Sequence, residues 1–156
     1  MISMKVQTSA IIKRPAEDVW PLLCDSRMDE HMPVQFRFGI PKPVECRLRS
    51  GIGGVGEERQ CVSNLGVVNE RITVWDENRR LEFEMEDTDI YFGRCVTTIK
   101  ERFDLTEIVE AQTQVRRTTE FSVRGWRRIP KSALIWVGLK NVHRYVFANW
   151  SRRADA

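Results

Sequence analysis

Residues 66–86 read GVVNERITVWDENRRLEFEME, with a period of two on either side of a short polar turn. Glu70, Ile72 and Val74 share one face of the first half, and in the second half Leu81, Phe83 and Met85 alternate with Glu82, Glu84 and Glu86. Such alternation belongs to strands with one face on a core and the other in water. DENRR between the halves is too short for a crossover, so the two strands meet as antiparallel neighbours. The fold class that follows is α+β, because an antiparallel sheet with one apolar face needs helices stacked against that face.

The same period extends outward. On the C-terminal side lie RCVTTIKERFDL, a turn near Glu110 and Ala111, and TQVRRTTEFSV. On the N-terminal side lie EERQCVS, VECRLR with Val44, Cys46 and Leu48 on one face, and MKVQTSAII with Met4, Val6, Thr8, Ala10 and Ile12 on one face. The expectation is a curved meander of six to seven strands. Two short helices are predicted after the first strand. Pro15 suits the start of the first, Glu17 and Asp18 complement its dipole, and Val19, Leu22 and Leu23 share a face. Pro21 removes a backbone hydrogen bond there and should keep that helix short. DSRMDEHMP adds a further helical turn, closed by Pro33. The one long helix is predicted over residues 130–152, where Ile135, Leu139, Val142, Val146 and Trp150 form one stripe. Leu134, Tyr145, Trp136 and Phe147 flank it, so the helix is apolar enough to lie in the concave face of the sheet.

Bulk properties narrow the function. At 156 residues, 42% hydrophobic and 30% charged, the chain fits a single domain spanning residues 1–156, large enough for a core and a modest cavity. A formal charge of +3 is too weak to imply nucleic acid. Cys24, Cys46, Cys61 and Cys95 are scattered without a CxxC pair, which reads as reduced thiols in a cytoplasmic protein. Two histidines and scattered cysteines predict no metal site. No apolar run reaches the ~18 residues of a membrane span. SGIGGVGEERQC, residues 50–61, is glycine-rich, but its glycines lead to Glu57 and Glu58 instead of a helix start or a closing Lys. It therefore reads as a bend between strands and not as a phosphate loop, and no cofactor is expected.

The order of strand, short helices, strands and one long helix resembles the helix-grip fold of the START-like, polyketide cyclase/dehydratase-related superfamily, SRPBCC. The resemblance is carried by RPAEDVWPLLCD, GVGEERQC, NERITVWDENRRLEF and TQVRRTTEF, which together cover most of the chain. It implies an apolar tunnel between the long helix and the sheet, binding lipids, polyketides, hormones or similar molecules, with the glycine bend near its mouth. Ile72, Val74, Leu81, Phe83 and Met85 are expected to line it from the middle strands and Val115 and Phe121 from the last strand. Leu139, Val142 and Val146 complete the lining from the helix, and Arg59 of GVGEERQC joins the ligand-binding set.

Strand parity then singles out polar residues. Arg117 shares a face with Val115, Thr119, Phe121 and Val123, and Glu70 with Ile72 and Val74. A buried lone charge is costly, so these two should be paired, solvated or ligand-facing. His143 lies at the border of the apolar arc of the helix, where it is either a satisfied edge histidine or a general acid or base; His31 sits in a cap. Arg124, Trp126, Arg127, Arg128 and Lys131 form a basic cluster at the start of the long helix. Glu82, Glu84 or Glu86 could offset it, or an anionic lipid could. Three functions stay open: a binding protein for a small hydrophobic or amphipathic molecule; a cyclase- or dehydratase-like enzyme using Arg117, Glu70 and His143; or a membrane-proximal or protein-interaction module. No nucleic-acid partner is expected, and the chain is read as a monomer or homodimer.

Overall fold

The computed structural model describes residues 2–29, 32–125 and 128–155. Its elements run β1 (Ile2–Ile12), α1 (Ala16–Cys24), β2 (Asp25–Arg27), β3 (Pro43–Leu48), β4 (Glu58–Ser63), β5 (Gly66–Asp76), β6 (Arg80–Thr88), β7 (Val96–Val109), β8 (Gln112–Val123) and α2 (Arg128–Asp155). Among the described residues eight strands form one antiparallel sheet in the order β1-β8-β7-β6-β5-β4-β3-β2. The strand beyond the expected six to seven is β2, three residues long and so too short to show a period. It replaces part of the helical turn expected over DSRMDEHMP. Residues 30 and 31 of that stretch, His31 among them, lie outside the described residues, and a 3-10 helix follows at Val34–Phe38.

α1 is short, as its internal Pro21 dictates. Pro15 stands just before the helix, and the Glu107 carboxylate accepts the Ala16 N–H at 2.9 Å, satisfying one of the open first-turn donors. Val19, Trp20 and Leu23 carry its buried face into the core.

α2 closes the half-barrel by touching both of its edges. At the β1 edge, the outward carbonyls of Lys5 and Gln7 would otherwise lack strand partners. Trp136 Nε1 donates to the first at 3.0 Å and Lys140 Nζ to the second at 2.6 Å, which blocks the edge against further pairing. At the β2 edge, Trp150 Nε1 donates to Ser26 Oγ at 2.8 Å and Arg153 to the Arg27 carbonyl at 3.1 Å. Trp150 also packs on Phe103 and Phe147, each at 5.7 Å between ring centroids. This end of α2 and α1 join Ile12, Ile72, Leu81, Val115 and neighbouring residues in one apolar cluster, while Val6, Val96, Phe121 and Val123 form another beside the first half of the helix.

β5 carries register shifts between Asn69 and Glu70 and between Ile72 and Val74. Their consequence is specific. Ile72 stands opposite Phe83, but beyond the second shift Val74 pairs with outward Glu82 and Trp75 with inward Leu81. Trp75 therefore takes the inner place expected of Val74 and meets Trp20 edge-on at 5.1 Å. Val74 is corrected to the outer face.

The glycine bend packs under this tryptophan. Gly56 holds φ of 88°, a conformation that favours glycine, and its N–H donates to the Ile72 carbonyl at 2.9 Å. Gly53 lies so close to the Trp75 ring that a Cβ there would overlap it. Gly53→Ala is therefore expected to push Trp75 off its seat and cost about 1–3 kcal/mol, the scale of overpacking, in a urea unfolding curve. An unchanged midpoint would contradict this packing.

Two further expectations are corrected. Cys46 and Cys61 face each other across β3 and β4 and are joined as a disulfide, with Cys24 and Cys95 free, so the chain does not hold four reduced thiols. Glu84 and Glu86 pair with Lys100 and Arg71 on the outer face of the sheet, at 3.6 and 2.9 Å, so these two acids serve the sheet and not the basic cluster at α2. No helix among the described residues is long and apolar enough to cross a membrane.

Candidate functional site: an apolar cavity with a charged wall

Between α2 and β3–β7 the curved sheet leaves a cavity of about 430 Å³. Its helix side is Ile135, Leu139, Val142, Val146 and Trp150; its sheet side includes Val62, Val68, Phe83, Ile99 and Phe103. Of its lining residues Tyr91, Lys131 and Leu134 are exposed, so the cavity opens at their end, beside the strap that brings Ile40, Pro41 and Pro43 into the wall. Tyr91 Oη donates to the Gly39 carbonyl at 2.7 Å, which ties the start of that strap across the opening. The buried Lys42 amine anchors its end by donating to the Asp29 carbonyl at 2.7 Å. None of residues 50–57 lines the cavity, so the glycine bend is not at its mouth.

Besides Glu45 on β3 and Lys131 on α2, four charged side chains form a stripe across this apolar wall. Arg59 on β4 lies directly opposite Glu70 on β5, with Nη1 to Oε1 at 3.0 Å, and both are almost fully buried. Arg117 on β8 grips Glu101 on β7 through Nε and Nη2 at 3.0 and 2.9 Å, a two-pronged contact. Each guanidinium also rests on a phenyl ring: Arg59 on Phe83 at 4.2 Å and Arg117 on Phe103 at 5.2 Å. All four residues line the cavity.

The two pairs differ in how well they are held. Arg59 also donates to the Leu23 carbonyl at 3.1 Å and to Cys61 Sγ at 3.0 Å, while its Nε is buried without a partner. Among the described residues, Glu70 accepts one hydrogen bond, from Arg59. Burial pushes its carboxyl up to about 7, the Arg59 charge opposing that rise and the Glu101 charge adding to it. Glu70 thus titrates where a cavity group can exchange a proton at neutral pH.

The expected site residues divide. Arg59, Glu70, Phe83, Arg117, Leu139, Val142 and Val146 line the cavity. Ile72, Leu81 and Val115 are buried in the cluster with Trp150 and Trp20, and Phe121 in the cluster beside Val6, with Met85 packed against it. Arg117 does not pair with Glu70; each has its own partner on the neighbouring strand. The partner missed from sequence is Glu101, whose face is that of Ile99, Phe103 and Leu105, so the parity that found Arg117 could have found it.

His143 stands elsewhere. It is fully buried, with Nδ1 3.0 Å from Thr8 Oγ1 and Nε2 2.7 Å from Thr119 Oγ1, and it does not line the cavity. Burial is the largest of the effects that hold its imidazole neutral, far below its usual pKa, and the Arg117 and Lys140 charges add to it. It stitches α2 to β1 and β8. Of the basic cluster, Arg124 and Lys131 are exposed; Trp126, Arg127 and the Arg128 side chain lie outside the described residues.

A long helix held in the curve of an antiparallel sheet around an apolar chamber is the helix-grip architecture of ligand-binding domains. The sequence agrees with it: the chain belongs to the polyketide cyclase/dehydrase and lipid transport family, whose profile matches residues 3–149, and so to the START-like superfamily. That membership implies a hydrophobic ligand. Solved structures share the fold at low identity. A START superfamily protein from Mycobacterium smegmatis superposes with a TM-score of 0.68 at 12% identity, covering 97% of each chain. The Zhui aromatase/cyclase of a Streptomyces species gives 0.64 at 14% over 97% of this chain and 96% of its own. A major latex-like protein from Panax ginseng gives 0.62 at 17% over 95% and 97%. No curated protein matched the sequence.

Proposed function

We propose that residues 1–156 act as one binding domain that takes a small hydrophobic or amphipathic molecule into the cavity, its polar end at the Arg59–Glu70 and Arg117–Glu101 pairs. The observation that carries this is the placement of two ion pairs, Arg59–Glu70 buried and Arg117–Glu101 nearly so, in the wall of a mostly apolar chamber. Buried ion pairs contribute little net stability against well-packed apolar side chains, so their position argues for orienting a ligand. The apolar wall supplies affinity and the charges supply direction.

The test is Val142→Trp, which places an indole where the helix faces the chamber. Affinity for the anionic amphipathic dye anilinonaphthalene sulfonate should fall by about tenfold or more, ~1.4 kcal/mol, with the circular dichroism spectrum unchanged. Equal dye affinity in the folded variant would contradict use of the cavity.

One observation favours a second reading, a cyclase- or dehydratase-like activity: the Glu70 carboxyl, raised to about 7 beside Arg59, has the poise of a general base in an apolar site. In that reading Arg59 and Arg117 stabilise an enolate and His143 has no contact with substrate. Turnover of a polyketide-like substrate that Glu70→Gln abolishes and His143→Gln leaves intact would establish it. Where the chamber opens, exposed Leu134, Tyr91 and Lys131 offer the place for an anionic lipid surface to deliver a ligand, with Arg124 nearby in sequence.

A further inference from the structure

We propose that the charged stripe in the cavity wall receives the head group of a monoanionic single-chain amphiphile, and that each anion enters together with one proton, taken up by Glu70. The proposal rests on the cavity being the ligand site. Two guanidiniums and two carboxylates face the chamber as two contacting pairs, so the stripe is neutral when both acids are ionised. A bare anion added to it would leave one uncompensated negative charge among apolar walls, a costly state. Protonating one carboxylate removes that charge.

Geometry selects which one. Glu101 is clamped by two charge-assisted hydrogen bonds from Arg117, and losing its charge would weaken both. Glu70 is held by one, from an arginine that keeps its bonds to the Leu23 carbonyl and Cys61 and has Nε to spare. A protonated Glu70 therefore leaves Arg59 positive and available to the incoming head group. The charges acting on Glu70 are Arg59 from β4, Glu101 from β7 and Arg117 from β8. From β3, Glu45 also lines the chamber but is engaged by Arg27 and Arg47 at 3.6 and 3.4 Å. α2 faces the chamber with Leu139, Val142, Val146 and Trp150, and among the described residues its one charge there is Lys131 at the mouth. Burial already brings the Glu70 carboxyl to about 7, and a neighbouring anion raises it further, so near pH 8 the group is mostly ionised in the free protein and protonated in the complex.

A neutral amphiphile of equal length makes no such demand. Calorimetric titration with decanoate and with decanol near pH 8, in phosphate and in Tris, reads proton uptake from the difference in apparent heat between the buffers. The expected result is close to one proton per decanoate and none per decanol. Between about pH 7.5 and 9 the decanoate affinity should weaken about tenfold per pH unit, while that of decanol stays level. Glu70→Gln keeps an acceptor for Arg59; it should bind decanoate about tenfold more tightly near pH 8, without proton uptake and without that pH dependence. The wild-type titrations alone decide the question if the variant fails to fold. Decanoate binding without proton uptake, binding of decanol alone, or proton uptake that persists in Glu70→Gln would each overturn the proposal while leaving the cavity as the ligand site. Failure of both probes to bind would overturn that reading as well.

Discussion

Arg59→Met is expected to destabilise the fold by about 3–5 kcal/mol near pH 8, because it strands the buried Glu70 carboxylate while keeping much of the arginine stem's volume. The loss should shrink toward pH 5, where Glu70 takes a proton and no longer needs its partner. The double change with Glu70→Gln should recover much of the loss at every pH, giving a coupling energy that urea unfolding of the four proteins reads directly. Arg117→Met with Glu101→Gln should likewise show a clear coupling energy. Arg117→Met with Glu70→Gln should show far weaker coupling, since these residues share no hydrogen bond. Strong coupling between Arg117 and Glu70, with none between Arg59 and Glu70, would mean that the strands are paired differently from the register described above.

The second large effect is in acid. His143 is neutral in the fold, with a pKa lowered from 6.5 to about 2, and Glu70 is raised from 4.5 to about 7. The signs oppose each other. The unfolded chain binds the proton on His143 more readily, so that group's contribution is complete above 6.5 and is lost as pH falls toward 2. The folded chain binds the proton on Glu70 more readily, so that contribution is complete below 4.5 and is lost as pH rises to about 7. Each slope is of order 1.4 kcal/mol per pH unit, and between pH 4.5 and 6.5 they cancel. The wild-type contribution of these two groups should be level there. His143→Gln, which can still reach Thr8 and Thr119, should unmask stability that falls with rising pH, and Glu70→Gln stability that rises. Thermal melts from about pH 4 to 8 would show it; parallel curves for all three proteins would sink the account of both groups.

Much of the architecture was legible because the sheet has one wet face. LEFEME and TQVRRTTEF repeat strictly enough that Leu81, Phe83, Val115, Phe121 and the inward Arg117 follow from parity alone, and the apolar arc of α2 gives Leu139, Val142, Val146 and Trp150. What failed did so for identifiable physical reasons. Val74 was assigned inward by continuing the period of Ile72, and the register shift between them exchanges it for Trp75; a bulge leaves no mark in a hydrophobic pattern. β2 is too short to carry a period. The pairing of Arg117 with Glu101 instead of Glu70 depends on which strands are neighbours, and periodicity within one strand does not report that. His143 lay at the edge of the apolar arc, and its burial arises from Thr8 and Thr119 on two other strands. The disulfide needs Cys46 and Cys61 to face each other across β3 and β4, a register that their spacing in the chain does not reveal.

The division between walls and ligands follows the same logic. Leu81, Ile72 and Val115 point inward as expected, but α1 and the Trp150 end of α2 come down on them and fill that end of the curve. The chamber survives beside that packed end, between the inner face of α2 from Ile135 to Trp150 and the sheet, and there the charged stripe crosses its wall. Inward-facing and cavity-facing are separate properties, and the helix that closes the sheet decides between them.

The central claim is that this chamber holds a ligand. Native mass spectrometry of the purified protein, before and after adding an equimolar apolar amphiphile such as decanol, tests it most directly. The account predicts one bound molecule per chain in the wild type, copurified or added, and its loss in folded Val142→Trp. Bare-chain mass under both conditions, or an adduct that persists unchanged in Val142→Trp, would contradict it.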